Sequence, residues 1–143
     1  MNKNNSEQEA YDELCCYTLT RGDTLFIHQH AVDAFAAQCA DERTKPITLT
    51  FALIGLYLQL EKNFSGREVQ LAHMRLAKHK KRWPTFNQPQ HRGNFTIHDV
   101  ISAPEGYERD QAIRRWCASV WKAYHESHQK VKDLVKIELW NEE

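Results

Sequence analysis

The sequence predicts an all-α protein, a bundle of four or five helices with one long irregular loop at about residues 83–96. Three observations predict it. Apolar residues recur at i, i+3, i+4 and i+7 along most of the chain, which lines one face of a helix. No stretch alternates apolar and polar residues as a half-buried strand does. Helix start and stop signals fall between the periodic stretches, at Gly22-Asp23, Pro46, Ser65 and Thr96.

The first helix is expected from about Glu7 to Leu19, with Tyr11, Leu14, Cys15 and Thr18 on one face. Residues 1–6 are polar and read as a flexible tail on a single helical domain, 1–143. Gly22 suits the left-handed turn that closes a helix, and Asp23 offers a carboxylate to cap the next. That second helix, about 24–40, carries the stripe Leu25, His28, Val32, Phe35 and Cys39. Pro46 fits a first helical position, where its missing N–H is no loss. The helix it opens, to about Asn63, is apolar nearly all round and should be central. Its apolar core, Ile47–Leu60, includes Thr48, Thr50 and Gln59 and is shorter than the ~20 residues a membrane span needs.

Ser65-Gly-Arg-Glu68 is a capping box opening a fourth helix, about 66–81, with Val69, Ala72, His73 and Leu76 inward. Beyond Trp83-Pro84 the periodicity stops, and residues 84–95 read as an ordered loop, a common place for function. A short helix is expected at 96–102 with Thr96 as its cap. A last one starts near Glu105 and runs to Leu139, with Ile113, Trp116, Cys117, Val120, Tyr124, Val131, Leu134 and Val135 inward.

Composition narrows the function. A chain of 143 residues, 41% apolar and 27% charged, suits one domain with a core. Five glycines and no glycine fingerprint argue against a Rossmann or P-loop enzyme. Nineteen basic and nineteen acidic residues give zero net charge, which argues against nucleic-acid coating as a main role. The zero conceals a front (1–42) at −6 and a middle (65–95) at +6. Oppositely charged surfaces of this kind suit self-association or a protein partner. Lys78, Lys80, Lys81 and Arg82 complement a helix C-terminus, and an anion contact at the mouth of the loop is the alternative. No leader or membrane span is read, so the expected compartment is cytoplasmic. Cys15, Cys16, Cys39 and Cys117 lack the spacing of a zinc ribbon and are expected as free, mostly buried thiols.

The densest group of chemical side chains is His28-Gln29-His30 with Asp33. On a helix His30 and Asp33 share a face at i, i+3, while His28 points away. His73, on the inward stripe of the fourth helix, can meet them if helices two and four are neighbours. Two imidazoles and a carboxylate would suit Zn, Mn, Fe or Ni, with open positions for metal-assisted hydrolysis or transfer. His28, Gln29 and Gln38 would then form a supporting polar network, and Tyr57, Trp83 and Phe86 a pocket wall. The alternative is a non-enzymatic interaction or regulatory module in which the same His/Gln/Asp set only fixes helix packing. His125 and His128 read as a wet helix face.

The runs Phe26-Ile-His28-Gln-His30-Ala-Val-Asp33, Ser65-Gly-Arg, Ala72-His73-Met and Trp83-Pro resemble a family of small bacterial helical domains of unknown function. The likeness covers about residues 11–135. It implies that His28, Gln29, His30, Asp33, Gln38 and His73 belong to the family's pattern, and it brings no activity or cofactor. A more distant analogy is to metal-binding four-helix proteins of the damage-inducible type, whose His-x-x-x-His pair is absent here.

Overall fold

The computed structural model describes residues 3–79 and 82–140. Among them are seven α-helices and no strand: α1 Lys3–Leu19, α2 His28–Gln38, α3 Pro46–Lys62, α4 Gly66–His79, α5 Ile97–Ser102, α6 Tyr107–Ala123 and α7 His128–Glu138. The all-α class agrees with the sequence; the helix number exceeds the four or five expected. α1 begins inside the stretch read as a tail, while Met1 and Asn2 lie outside the described residues.

One of the additional helices comes from the last segment, which splits into α6 and α7 at a tight 3-10 turn, His125–Ser127. No Gly or Pro marks the break. Side chains hold it instead. The Tyr124 hydroxyl donates to the Ala37 carbonyl at 2.7 Å, and His128 Nε2 donates to the Trp121 carbonyl at 2.7 Å. The His128 ring stacks on Trp121 at 3.8 Å.

α3 is central, as its apolar circumference predicts: every residue from Leu49 to Gln59, Phe51 apart, is buried. Pro46 occupies its first turn. Asn63 ends it in the left-handed conformation, with the Phe64 N–H donating to the Leu58 carbonyl at 3.0 Å. α2 packs most extensively on α3 and α6. α4 lies against both α2 and α3, α7 lies against α3, and α1 with α5 closes the far side. Glu61 ties α3 to the last two helices, accepting from Trp121 Nε1 at 2.9 Å and pairing with Lys132 at 3.3 Å. No described helix is long and apolar enough to cross a membrane.

α2 departs from its expected stripe. Leu25 is 64% exposed and lies outside the helix, Cys39 is exposed, and His28, Val32 and Phe35 are only half-buried. The buried face is His30, Ala31, Asp33, Ala34 and Ala37. Small side chains let α2 approach α3 closely, so the alanine face wins the interior over the larger one. The helix also starts at His28 rather than Thr24. Phe26 takes φ +59°, a left-handed conformation that no helix interior holds. Asp23 caps the resulting turn, accepting from the Leu25 and Ile27 amides at 3.0 and 2.9 Å.

Residues 82–96 form the expected irregular segment, and α2 pins it. Gln38 Nε2 donates to the carbonyls of Arg92 and Phe95 at 3.2 and 2.9 Å, while its Oε1 accepts from Trp116 Nε1 at 2.8 Å. Arg92 reaches back to the Gln38 and Ala40 carbonyls at the end of α2. The four cysteines are free, but only Cys117 is buried, against the expectation of mostly buried thiols. Cys15 and Cys16 sit 100° apart on α1, so one is half-buried and the other exposed.

Candidate functional site

The start of α4 folds onto the 23–27 turn. The Arg67 N–H donates to the Leu25 carbonyl at 2.8 Å. The approach is so close that a Cβ on Gly66 would overlap the Phe26 carbonyl group. The expected capping box forms here: Ser65 N–H donates to Glu68 Oε1 at 2.8 Å, and Glu68 N–H donates to Ser65 Oγ at 3.1 Å.

Between this junction and α6 lies a polar cleft of about 340 Å³. Its walls include Asp23, Ser65, Glu68, Asp110 and Arg114, with Ile27 and Phe64 as apolar surface, and His30 lines it from α2. Arg21, at the end of α1, closes one side. Its Nη1 pairs with Asp110 Oδ1 at 2.7 Å and donates to the Tyr17 hydroxyl at 2.6 Å, and Tyr17 in turn donates to Asp110 at 2.9 Å. Burial pushes the Asp23 carboxyl up, but the Ile27 and Leu25 amides and Arg21 outweigh it and hold Asp23 below the usual carboxylate range. Asp23 is thus ionic, while Glu68 is engaged by the Ser65 amide and Asp110 by Arg21 and Tyr17. Arg114 is different: it is exposed and makes no ion pair among the described residues.

His30 is 2% exposed, and its Nδ1 is buried with no hydrogen-bond partner. Burial, reinforced by the nearby Arg114 charge, lowers its pKa to about 4, so the imidazole is neutral at pH 7. A neutral imidazole beside an unpaired guanidinium can meet a ligand oxygen with two N–H donors.

Asp33 does not share this cleft. It is 3% exposed and faces α3, where its Oδ1 accepts from Gln29 Nε2 at 3.1 Å and its Oδ2 has no partner. Burial raises its pKa well above 3.8, which favours the neutral acid, and the group is held against Gly55. His73 is engaged elsewhere: its Nε2 donates to the Phe51 carbonyl at 2.8 Å, and its ring stacks on Phe51 at 5.0 Å. The expected convergence of His30, Asp33 and His73 on one ion is therefore not found. Among the described residues no group of three His, Cys, Asp or Glu side chains is placed to hold a metal ion. Each of the three was directed by its own packing demand, which a shared helix face does not reveal.

The other expected residues also have separate places. His28 Nδ1 meets Thr18 Oγ1 at 2.9 Å, linking α2 to α1. Gln29 serves Asp33, and Gln38 clamps the loop. Tyr57 packs between Trp121 and Trp140, Trp83 stands edge-on against Phe51, and Phe86 lies beneath Lys130, so these three do not wall one pocket. Lys78 and Arg82 are exposed; Lys80 and Lys81 lie outside the described residues. Sequence reasoning missed Arg21, Asp23, Asp110 and Arg114 as site residues. Arg21-Gly-Asp23 signalled only a chain reversal, and nothing in the pattern of α6 distinguishes Arg114 from other exposed charges.

Buried His30 and half-buried His73 set an acid limit. Burial likewise holds His73 at about 4, against 6.5 unfolded. Below pH 6.5 the unfolded chain takes up protons that the native chain refuses, so stability present above 6.5 falls as pH drops toward 4. Asp33 acts in the opposite sense, because the native chain keeps a proton that the unfolded chain loses above 3.8. Each imidazole removes up to about 1.4 kcal/mol per pH unit between 6.5 and about 4, and Asp33 offsets part of that loss. Urea midpoints measured at pH 7 and pH 5 should show it, and His73→Gln should flatten the slope. A pH-independent midpoint contradicts the buried, neutral assignment.

A family profile described as "Family of unknown function (DUF5946)" matches residues 5–125, and the chain belongs to that family. No curated protein and no solved structure matches it.

Proposed function

We propose, for a chain whose family carries no assigned activity, that it is a ligand-binding helical module taking a small zwitterionic molecule into the cleft beside His30. The observation that carries this reading is the unpartnered, almost fully buried His30 lining a cleft of mixed charge. A ring this buried meets a ligand in a desolvated setting, where a hydrogen bond is stronger than in water. Arg114 and His30 offer N–H donors to a carboxylate. Asp23 and Glu68 keep acceptor capacity for an ammonium group, since an ionised carboxylate accepts about four hydrogen bonds. Ile27 and Phe64 provide apolar contact for a small side chain. The volume, about 340 Å³, lies at the small end of ligand pockets. The His-Gln-His-x-x-Asp run and the Ser-Gly-Arg run, distant in sequence, both contribute here through His30, Ser65 and Gly66.

The test is a titration of ¹⁵N-labelled protein with α-amino acids, followed by NMR. Saturable shifts are expected at the amides of 25–27 and 65–67. Arg114→Ala should weaken binding about tenfold or more, the value of one charge-assisted hydrogen bond. Arg114 is exposed, so its loss leaves the fold intact. Immobile cleft amides, or an R114A protein that binds as the wild type does, would remove the reading.

A further inference from the structure

We propose that the chain carries a second binding site, a groove between the 91–94 loop and α6 that holds the phosphate of a small phosphomonoester. The groove has a volume of about 880 Å³ and is lined by His91, Asn94, Arg115, Ser119, Lys122 and His125, with Gly93 and two alanines between them. No aspartate or glutamate is among its lining residues, in contrast to the His30 cleft, with which it shares none. Arg115 and Lys122 make no ion pair among the described residues, whereas Arg21, Arg109 and Lys132 are all paired. In a protein of zero net charge, this groove is left without neutralisation.

The walls are built before any ligand arrives. Arg115, Ser119 and Lys122 stand at i, i+4 and i+7 on one face of α6, and His125 follows on the 3-10 turn. Arg115 is braced over the Phe95 ring at 4.8 Å. Gly93, at φ +95°, lies so close to α6 that a Cβ there would overlap Ser119 Oγ and come 3.1 Å from the Ser119 carbonyl oxygen. The loop cannot drift, because Gln38 holds the carbonyls of Arg92 and Phe95 on either side. Preorganisation of this kind lowers the cost of binding.

The chemistry of the lining selects the ligand. A terminal phosphate presents close to two negative charges and three acceptor oxygens on one atom. A guanidinium, an ammonium, two imidazoles, a hydroxyl and an amide around one groove answer that description. A polynucleotide spreads single charges along a track and uses exposed aromatic rings for stacking. No Phe, Tyr or Trp is among the lining residues, and the Phe95 ring beneath Arg115 is already covered by it.

The test uses the full chain, ¹⁵N-labelled, titrated with glycerol phosphate, with chloride at equal ionic strength, and with an oligonucleotide lacking terminal phosphates. Glycerol phosphate should give saturable shifts at the amides of Gly93, Asn94 and Ser119. Lys122→Gln should weaken it about tenfold, with the His30 cleft amides unmoved. Lys122 is exposed, so the variant keeps its fold. The proposal is overturned if those amides do not move, if chloride reproduces the shifts, if K122Q binds as the wild type does, or if the oligonucleotide binds more tightly.

Discussion

Gly66→Ala is expected to destabilise the protein by about 2–4 kcal/mol and to abolish uptake of a ligand in the His30 cleft. The added Cβ would overlap the Phe26 carbonyl oxygen and lie 2.6 Å from its carbon. Both are backbone atoms, so no side-chain rotation relieves the contact. Either α4 lifts from the 23–27 turn, breaking the bond from Arg67 N–H to the Leu25 carbonyl, or the turn yields and Asp23 loses its amide partners. Both routes deform the cleft. The helix-propensity gain of alanine over glycine, about 1 kcal/mol at most, is too small to compensate. Gly22→Ala provides the contrast. Gly22 sits at φ +69° with nothing near its missing Cβ, so its substitution carries only left-handed strain, about 1–2 kcal/mol, and spares the cleft. Urea denaturation with an amino-acid titration on both variants separates the effects. A G66A protein within about 0.5 kcal/mol of the wild type would mean that the α4 junction is not close-packed.

The contrast between these glycines shows what was legible in the sequence. Helix positions and types were readable because Pro46, Ser65-Glu68 and Thr96-Asp99 act within a few residues of themselves. The inward faces of α1, α4 and α6 were readable because large apolar residues mark them. The inward face of α2 was not. Its buried residues are alanines, a histidine and an aspartate, whose burial is decided by how closely α3 approaches. The break between α6 and α7 was also hidden, since the groups that hold it, Tyr124 with Ala37 and His128 with Trp121, act through side chains rather than through Gly or Pro. The site followed the same division. His30 was readable as a residue with chemistry to do. Its company of Arg21, Asp23, Asp110 and Arg114 depends on three helix junctions meeting at one place.

Gly55→Ala is expected to cost about 2 kcal/mol, and the double variant Asp33→Ala/Gly55→Ala to recover that loss. In isolation, alanine at mid-helix is better than glycine by about 1 kcal/mol. Here the new Cβ would overlap Asp33 Oδ2 and lie 2.6 Å from its Cγ. The carboxyl has nowhere to go: Asp33 is 3% exposed and wedged between α2 and α3, and rotation would break its bond with Gln29. Removing Asp33 empties that space for the methyl group and ends the cost of burying a carboxyl group with one unpartnered oxygen. A cycle of the two single variants and the double should therefore give a coupling of about 2 kcal/mol or more, with the double at least as stable as the wild type near pH 7. Additive single effects would show that the carboxyl and Gly55 do not share one space. The cycle also decides what Asp33 is for. If the double variant is stable and still binds amino acids in the cleft, Asp33 and Gly55 are two halves of one packing solution between α2 and α3. The chemistry of the molecule then rests with His30 and Arg114, and not with the acid that the sequence pairs with His30 one turn along α2.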